Sequence, residues 1–486
     1  MPVNRYINAL FINPITLDMR PLMLLLLPLA FLTGCHRGDD RLAKAYRYNK
    51  NGWIFLHLEG SPADIGYQHG YLLSDEIDDN IKATAVLMKN ESGKDWAFFH
   101  DAVKTMFWPK IDSEYREELE GIVEGLKAKG KQYDVYDLVA LNGNIELASY
   151  YVPYMANLNK PGSVVNKAPG NCSAFVATGS YTTDGKIAIG HNNWTAYVQG
   201  ERWNVVADIV PTKGYRVMMD MMPGFIHSGD DFAINGGGLV ITETTITQFN
   251  GFDTTAIPEF VRARKSEQYA ATVDDFVKIM SGGNNGGYAN DWLIGDINHN
   301  EIARVELGLK HVKVWRTTDG VYYGSNFPSD SAVIKDETNF NPLDTTNSPN
   351  TRRRRWEALT AQYKGKINDS TGRVIEGDNL NAMTGTKEAT RCVIAGSVDT
   401  DPKGCPEWDW APYYPGGTVQ AKMTTADMAK NFEFWAHMGN PSGKDFVAAP
   451  FLAQHPEYKW LSPYSTTCPP IPGPCSRQTA INSICT

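Results

Sequence analysis

The sequence has few cysteines, no excess of positive charge and no apolar run long enough to span a membrane. Seven cysteines in 486 residues are too few for a disulfide-built scaffold, and the absence of CxxC and HExxH motifs argues against a metal site. The net charge of -9 excludes a general nucleic-acid-binding protein. With 42% hydrophobic and 21% charged residues, we expect a globular chain. We expect no cofactor. The composition indicates no particular oligomeric state.

An apolar run at residues 21–34 indicates an export signal. The run is shorter than the about 20 residues that a membrane-spanning helix needs, and Arg20 supplies the positive flank of a signal peptide. It ends in Leu-Thr-Gly before Cys35, which resembles the lipobox of bacterial lipoproteins. The resemblance implies removal of residues 1–34 and lipidation of Cys35, with a destination at the outer membrane or facing the periplasm. An ordinary secretory signal with an incidental cysteine is the alternative.

The segment before residue 172 is predicted to be mostly helical. Residues 35–52 are charged and polar, which indicates a tether. Residues 53–171 start with a strand-like run, and a Ser-Pro-Ala-Asp sequence at 61–64 then predicts a helix start with a Ser cap. The stretch 153–171 is rich in Pro, Gly and Asn and predicts a loop. We therefore expect a helical segment ahead of the main domain.

Residues 172–465 are predicted to form an α+β core built on antiparallel strands. Short runs of β-branched and aromatic residues are separated by Gly, Asn and Asp, and two Thr-Thr-Asp-Gly sequences are typical of hairpins. Helices are predicted at residues 258–283, 352–363 and 424–437. The remaining residues, 466–486, form a tail rich in Cys and Pro.

Several sequence blocks, in their order and spacing, are similar to a known family. The blocks are Gly170-Asn171-Cys172-Ser173, Gly190-His191-Asn192-Asn193-Trp194, His227-Ser228-Gly229-Asp230, 238–246, 288–294 and 434–439. Together they resemble the phospholipase B-like family of N-terminal-nucleophile hydrolases. Residues 60–70 resemble the start of the related isopenicillin N acyltransferase-type amidases. The resemblance covers about residues 52–465 and implies a four-layer αββα sandwich of antiparallel sheets.

The resemblance also implies a nucleophile that the chain exposes by cutting its own Asn171–Cys172 bond. A thiolate is a strong nucleophile, and the new α-amine of Cys172, which titrates near 8, would act as the base. Matches to the family motifs imply that His191 and Asn192 contribute to catalysis and that Asn290 is the oxyanion donor. The alternatives are that His191 only lines the site or is a structural histidine, and that Asn290 is a turn residue. The substrate would be a small acylated or lipid-like molecule with an amide or ester bond. An acyltransferase, or a surface-anchored binding lipoprotein, are the alternatives.

Four further residues are expected to contact the substrate: Trp194, His227, Asp230 and Arg353. For His227 and Asp230 the alternative is that they only shape a loop. Arg353 belongs to four consecutive arginines in the first turn of a predicted helix, where cations oppose the helix dipole. Such cations are either solvated or paired with acids or an anionic substrate.

The other five cysteines are expected to form one or two disulfides near the C-terminus. Cys392 and Cys405 would close a short loop, and Cys468 and Cys475 bracket a Pro-rich loop. Cys485 is then left over, although the sequence does not determine the pairing.

Overall fold

The fold is taken from a computed structural model that describes residues 39–159, 172–229, 232–468 and 477–481, with only the backbone described from residue 467 onward. The chain divides into two units, 1–40 and 41–486, and both large sheets belong to the second. The predicted signal peptide and Cys35 lie outside the described residues. Within the described part, none of the helices combines the length and apolar character needed to cross a bilayer.

Strands and helices follow one another along the described chain. The strands are β1 (Tyr46–Lys50), β2 (Trp53–Gly60), β3 (Cys172–Gly179), β4 (Gly185–Ala196), β5 (Val205–Pro211), β6 (Val217–Met221), β7 (Phe232–Asn235), β8 (Leu239–Thr245), β9 (Asn290–Asp296), β10 (Glu301–Leu307), β11 (Val312–Thr317), β12 (Gly320–Gly324), β13 (Gly416–Thr425), β14 (Phe434–Met438), β15 (Phe446–Val447), β16 (Thr467–Cys468) and β17 (Arg477–Ile481). The helices are α1 (Pro62–Leu72), α2 (Ser74–Ser92), α3 (Trp96–Met106), α4 (Ser113–Ala128), α5 (Val135–Asn142), α6 (Val152–Asn159), α7 (Tyr197–Gly200), α8 (Glu259–Tyr269), α9 (Val273–Ser281), α10 (Ser331–Glu337), α11 (Ser348–Gln362), α12 (Asp369–Glu376), α13 (Ala426–Ala429) and α14 (Ala448–Gln454). A π-helical segment covers Glu146–Tyr151, and 3₁₀ turns cover Asp40–Leu42, Trp108–Lys110, Pro406–Trp408 and Pro456–Leu461.

Two large sheets form the centre of the molecule. One has nine strands in the order β1-β2-β5-β6-β7-β8-β9-β10-β11, and the other has six in the order β12-β3-β4-β13-β14-β17. The described strand pairs are antiparallel except for β2 and β5, which run parallel. Val176 and Ile189 of the six-stranded sheet share a buried cluster with Val240 and Leu293 of the nine-stranded sheet. The sheets therefore pack face to face, and the predicted α+β class is confirmed.

Helices cover the outer face of both sheets. Helices α1 to α5 and α8 pack against the nine-stranded sheet in a cluster that includes Leu56, Leu119 and Val205. Helices α11 and α12 pack against the six-stranded sheet through residues such as Trp356 and Ile375. The order of layers is helix, sheet, sheet, helix, because each sheet buries alternate residues on its two faces.

The Gly60–Gly70 motif has a structural explanation. Helices α1 and α4 cross so closely that a Cβ atom on Gly66 would lie 1.9 Å from the carbonyl oxygen of Glu118. Gln68 donates to the carbonyl oxygen of Glu59 and accepts from its backbone N–H, which ties α1 to β2. The buried His69 accepts a hydrogen bond from the backbone N–H of Gly224 at 3.0 Å. The described contacts of these residues thus serve helix packing.

Several sequence predictions of secondary structure differ from the structure. The second Thr-Thr-Asp-Gly, at 317–320, connects β11 of the nine-stranded sheet to β12 of the six-stranded sheet, so it forms no hairpin. Residues 46–50 of the predicted tether form β1, which pairs with β2. The predicted helix at 424–437 begins with the Thr425 cap but ends at Ala429, and β14 follows from Phe434. The physical reason is a period of two, since Phe434, Ala436 and Met438 all enter the core between the sheets. The predicted loop at 153–171 is helical as far as residue 159. Its remainder, 160–171, lies outside the described residues.

The expected disulfide between Cys392 and Cys405 is not formed, because both thiols are free. Cys405 is buried, whereas Cys392 is partly buried. Burial raises the pKa of both thiols, which keeps them protonated. The side chain of Cys468 and the whole of Cys475 and Cys485 lie outside the described residues.

Candidate active site

Three side chains of complementary chemistry converge in the interior. The Sγ atom of Cys172, a ring nitrogen of His191 and a carboxylate oxygen of Glu243 all lie within 4.8 Å of one another. All three residues are buried, and Cys172 is only 3% exposed. A thiol, an imidazole and a carboxylate are side-chain types from which a nucleophile, a base and a group that orients the base can be built. The site therefore has the composition needed for acyl transfer.

The hairpin of β3 and β4 explains why Cys172 and His191 come together. Along β3, Ala174 and Val176 face the opposite sheet while Phe175 faces the outer helices, so alternation directs Cys172 inward. His191 is the register partner of Ala174 and is directed inward with Ile189. Cys172 is two residues from Ala174 on β3, and Ala174 lies directly opposite His191 on β4. Cys172 and His191 are therefore diagonal neighbours on the same face of the sheet, and side chains in such positions can reach each other.

Glu243 reaches the site from the other sheet. It belongs to β8, and its Oε1 atom accepts a hydrogen bond from the Tyr288 hydroxyl at 3.2 Å. Tyr288 has a φ of 50°, a left-handed conformation that is strained for a residue with a side chain. Such strain persists where the surrounding structure enforces it, which is common at functional sites. Tyr288 therefore positions the Glu243 carboxylate.

Arg352 of α11 lies across β3 from the thiol. Its guanidinium donates to the carbonyl oxygen of Cys172 at 2.8 Å, to Ser173 Oγ at 2.9 Å and to Asn326 Oδ1 at 2.7 Å. It also stacks over the Trp194 ring at 4.8 Å from the centroid. Burial lowers the pKa of Arg352 to about 10, so it keeps its charge at neutral pH. The backbone of Cys172 is thus fixed by a buried cation.

The other residues predicted for catalysis are placed differently. Asn192 points to the outer side of β4, where its Nδ2 donates to the carbonyl oxygen of Glu376 at 2.7 Å. Burial raises the pKa of Glu376 well above its usual range, and its carboxyl accepts the backbone N–H of His191. Asn290 is buried at the start of β9 opposite Thr245, two residues from Glu243 along β8. Asn192 therefore has a structural contact, while Asn290 is close to the site in register.

The predicted substrate-binding residues are also spread out. Trp194 packs on Arg352 and donates from Nε1 to the carbonyl oxygen of Ile394. His227 stacks on Phe225 with ring centroids 5.0 Å apart, in contact with the helix-side core. Arg353 lies half-exposed over the Phe327 ring, 4.7 Å from its centroid. Asp230 lies outside the described residues.

A known protein family matches the part of the chain that contains these three side chains. The family model of phospholipase B matches residues 47–320, which include Cys172, His191 and Glu243. The chain belongs to the phospholipase B family. The match ends before α11, so the phospholipase B region contains the three converging side chains but not Arg352.

The relatives of this phospholipase B family member match only in part. An uncharacterized protein of Archaeoglobus fulgidus is 28% identical over 49% of the chain and 40% of its own length. Phospholipase B-like proteins C and G of Dictyostelium discoideum are 23% and 34% identical, over 59% and 26% of the chain. These matches cover 57% and 22% of the two relatives. The chain thus spans about half or less of the length of most of the curated relatives it matches.

Sequence reasoning missed Glu243 and Arg352. An acidic residue inside the buried run Leu-Val-Ile-Thr-Glu-Thr-Thr was a signal for Glu243, because a buried carboxylate needs a partner or a function. Nothing in the sequence separates Arg352 from the three arginines that follow it. Which of the four points into the protein depends on how α11 is rotated about its axis, and this is known only from the structure. The cluster of Cys172, His191 and Glu243 offers ligand atoms for a metal ion, and a second described group, His100 with Asp134 and Asp137, does so nearer the surface. Neither group of residues contains a CxxC or HExxH motif.

Proposed function

We propose that the protein is a hydrolase that cleaves an acyl ester or acyl amide bond of a lipid-derived substrate through an acyl-enzyme on Cys172. The observation that carries the proposal is the convergence of Cys172, His191 and Glu243 within 4.8 Å. The phospholipase B family and the names of its phospholipase B-like members support a lipid ester as the substrate class.

The side chains have distinct roles in this proposal. The thiolate of Cys172 attacks the acyl carbon and forms a thioester as the alcohol or amine leaves. His191 accepts the thiol proton and returns it to the leaving group, with Glu243 holding the imidazole in the required orientation. Water then hydrolyses the thioester and regenerates the thiol. Arg352 is a positioning residue, because its contact is with the Cys172 carbonyl and Ser173.

Self-cleavage follows from the same nucleophile. The Cys172 thiolate attacks the carbonyl carbon of Asn171, the peptide C–N bond breaks, and the released α-amine takes up a proton. Water then hydrolyses the resulting thioester, leaving Asn171 as a new C-terminus and Cys172 as a new N-terminus. After the cut, the α-amine is a second base beside His191.

The test measures the masses of the protein fragments and the rate of substrate hydrolysis. Wild-type protein should separate under denaturing conditions into fragments 35–171 and 172–486, and Cys172→Ala should remain one chain. Turnover is measured on a phospholipid, a lysophospholipid and an N-acyl amide, with Cys392→Ala as the matched thiol control. Hydrolysis that persists in Cys172→Ala contradicts the proposal. Turnover that depends on Cys172 in an uncut chain would assign the base to His191 alone.

We further propose that the chain is exported and anchored through a lipid on Cys35. The support is the sequence pattern of residues 20–35, with a positive flank, an apolar run and small residues before the cysteine. In a bacterial host, labelled fatty acid should be incorporated into the wild type and not into Cys35→Ser. Equal labelling of both proteins contradicts the anchor.

A further inference from the structure

We propose that Cys172, His191 and Glu243 also form a Zn²⁺ site, and that the bound ion reversibly blocks the nucleophile. The blocking effect rests on the proposed function, whereas the binding of the ion does not. A metal site at these residues would make the enzyme sensitive to the free concentration of a divalent ion.

The ligand set is suited to zinc. Zinc binds thiolate sulfur at about 2.3 Å and imidazole nitrogen or carboxylate oxygen at about 2.0–2.2 Å, so ligand atoms in a tetrahedral site lie about 3.3–3.8 Å apart. The three atoms of this cluster lie within 4.8 Å of one another, and closing this gap requires shifts of about 1 Å. Side-chain torsions of Cys172 and Glu243 can supply such shifts without moving the strands. The Tyr288 hydroxyl holds the Glu243 carboxylate, as second-layer partners of ligands commonly do.

The charge balance also favours a divalent cation. A thiolate and a carboxylate together carry two negative charges, which neutralise Zn²⁺ in a site where all three ligands are buried. Arg352 is the nearby cation, and its guanidinium donates to the Cys172 carbonyl oxygen, Ser173 Oγ, Asn326 Oδ1 and Ser348 Oγ. None of these described hydrogen bonds goes to a ligand atom of the cluster.

Self-cleavage would complete the coordination. The α-amine released at Cys172 belongs to the same residue as the thiolate, so both can bind one ion in a five-membered chelate ring. With His191 and Glu243 they make four ligands, the usual number for a closed zinc site. The cut protein is therefore expected to bind the ion more tightly than the uncut chain, in which the nitrogen is an amide.

The second metal-capable group gives a matched control. His100 and Asp134 are 3.0 Å apart, and Asp134 also caps α5 by accepting from the backbone of Tyr136 and Asp137. This group contains no thiol. Cobalt bound there has no thiolate-to-metal charge-transfer absorption, so the two sites are distinguished by spectroscopy.

The experiment titrates Co²⁺ into metal-free protein and follows that absorption. The wild type should develop the band with one equivalent of Co²⁺ and lose it when Zn²⁺, which binds more tightly, is added. Cys172→Ser should abolish the band, Glu243→Gln should weaken binding at least tenfold, and His100→Gln should leave it unchanged. Because glutamine is isosteric with glutamate, the Glu243 variant retains the packing. No band in the wild type, or a Glu243→Gln variant that binds like the wild type, overturns the site.

Turnover then separates this proposal from the proposed function. Addition of Zn²⁺ should suppress Cys172-dependent hydrolysis at least tenfold, and a chelator should restore it. Hydrolysis that continues at saturating Zn²⁺ overturns the blocking role. If the band forms but metal-free protein hydrolyses none of the three substrate types, the ion site stands and the proposed function fails. If hydrolysis depends on Cys172 and no band forms, the proposed function stands and the ion site fails.

Discussion

Protonation of His69 is predicted to destabilise the fold in acid. The side chain is 1% exposed, and burial, with a smaller contribution from the Arg264 charge, lowers its pKa to about 3. Its Nε2 accepts the Gly224 N–H, so the neutral form is the one that fits. In the unfolded chain a histidine titrates near 6.5, hence the unfolded state binds the proton first as the pH falls. The stabilisation by neutral His69 is complete above about pH 6.5 and is lost progressively towards pH 3.

The size of the effect follows from the two pKa values. Each pH unit between them changes the free energy of unfolding by about 1.4 kcal/mol, so His69 alone should lower it by about 2 kcal/mol between pH 7 and pH 5. The assay is urea unfolding at both pH values in a Cys172→Ala background, which is expected to remain one chain. His69→Gln is the comparison, because its amide oxygen can accept from Gly224 but does not titrate.

The difference between the two proteins isolates His69. Burial also lowers the pKa of His437, to about 4, so the wild-type stability falls in the same range for a second reason. That contribution is common to both proteins and cancels. If the parent and His69→Gln lose the same stability between pH 7 and pH 5, the reasoning is refuted, and His69 is accessible to protons in the folded state.

Two further predictions concern packing and the site. Gly66→Ala should lower the free energy of unfolding by about 2–3 kcal/mol, because the new Cβ would collide with the α4 backbone. Gly236→Ala is the control: the nearest atoms to its new Cβ lie at 3.6 Å, so it should change the free energy of unfolding by less than about 1 kcal/mol. Equal effects of the two substitutions in urea unfolding would contradict the close crossing of α1 and α4. Arg352→Met should slow self-cleavage about 100-fold by releasing the Cys172 carbonyl, and the half-exposed Arg353→Met should not. Equal amounts of cut protein on a gel from both arginine variants would remove the positioning role.

Predictions from local sequence were accurate where local physics decides the structure. The run beginning at Cys172 and the run ending at Ala196 are joined by an Asp-Gly turn, and they form the expected hairpin of β3 and β4. This hairpin alone places His191 near Cys172. The capping box of Ser61 and Asp64 starts α1 as predicted. In each case the signal and the structure lie within a few residues of each other along the chain.

Predictions were inaccurate where the structure depends on the direction in which a helical residue points, on where a helix ends, or on a residue far away in the sequence. Successive residues of a helix point about 100° apart, so Arg352 is buried and Arg353 half-exposed although the sequence treats them alike. The run from Thr424 begins with a helix cap, the helix ends at Ala429, and the period-two pattern of the following strand appears only after Phe432, which has a φ of 55°. Neither outcome can be read from residue type.

Glu243 illustrates the limit most clearly and has a consequence for folding. Cys172 and His191 come from one hairpin, but Glu243 comes from the opposite sheet and reaches them only when the two sheets pack. The core between the sheets, with residues such as Val176 and Leu293, must therefore form before the thiol, imidazole and carboxylate can act together. If the proposed self-cleavage needs all three groups, an unpacked chain cannot cut itself. The cut then reports docking of the two sheets, and destabilising the core should slow it even when the β3–β4 hairpin is unchanged.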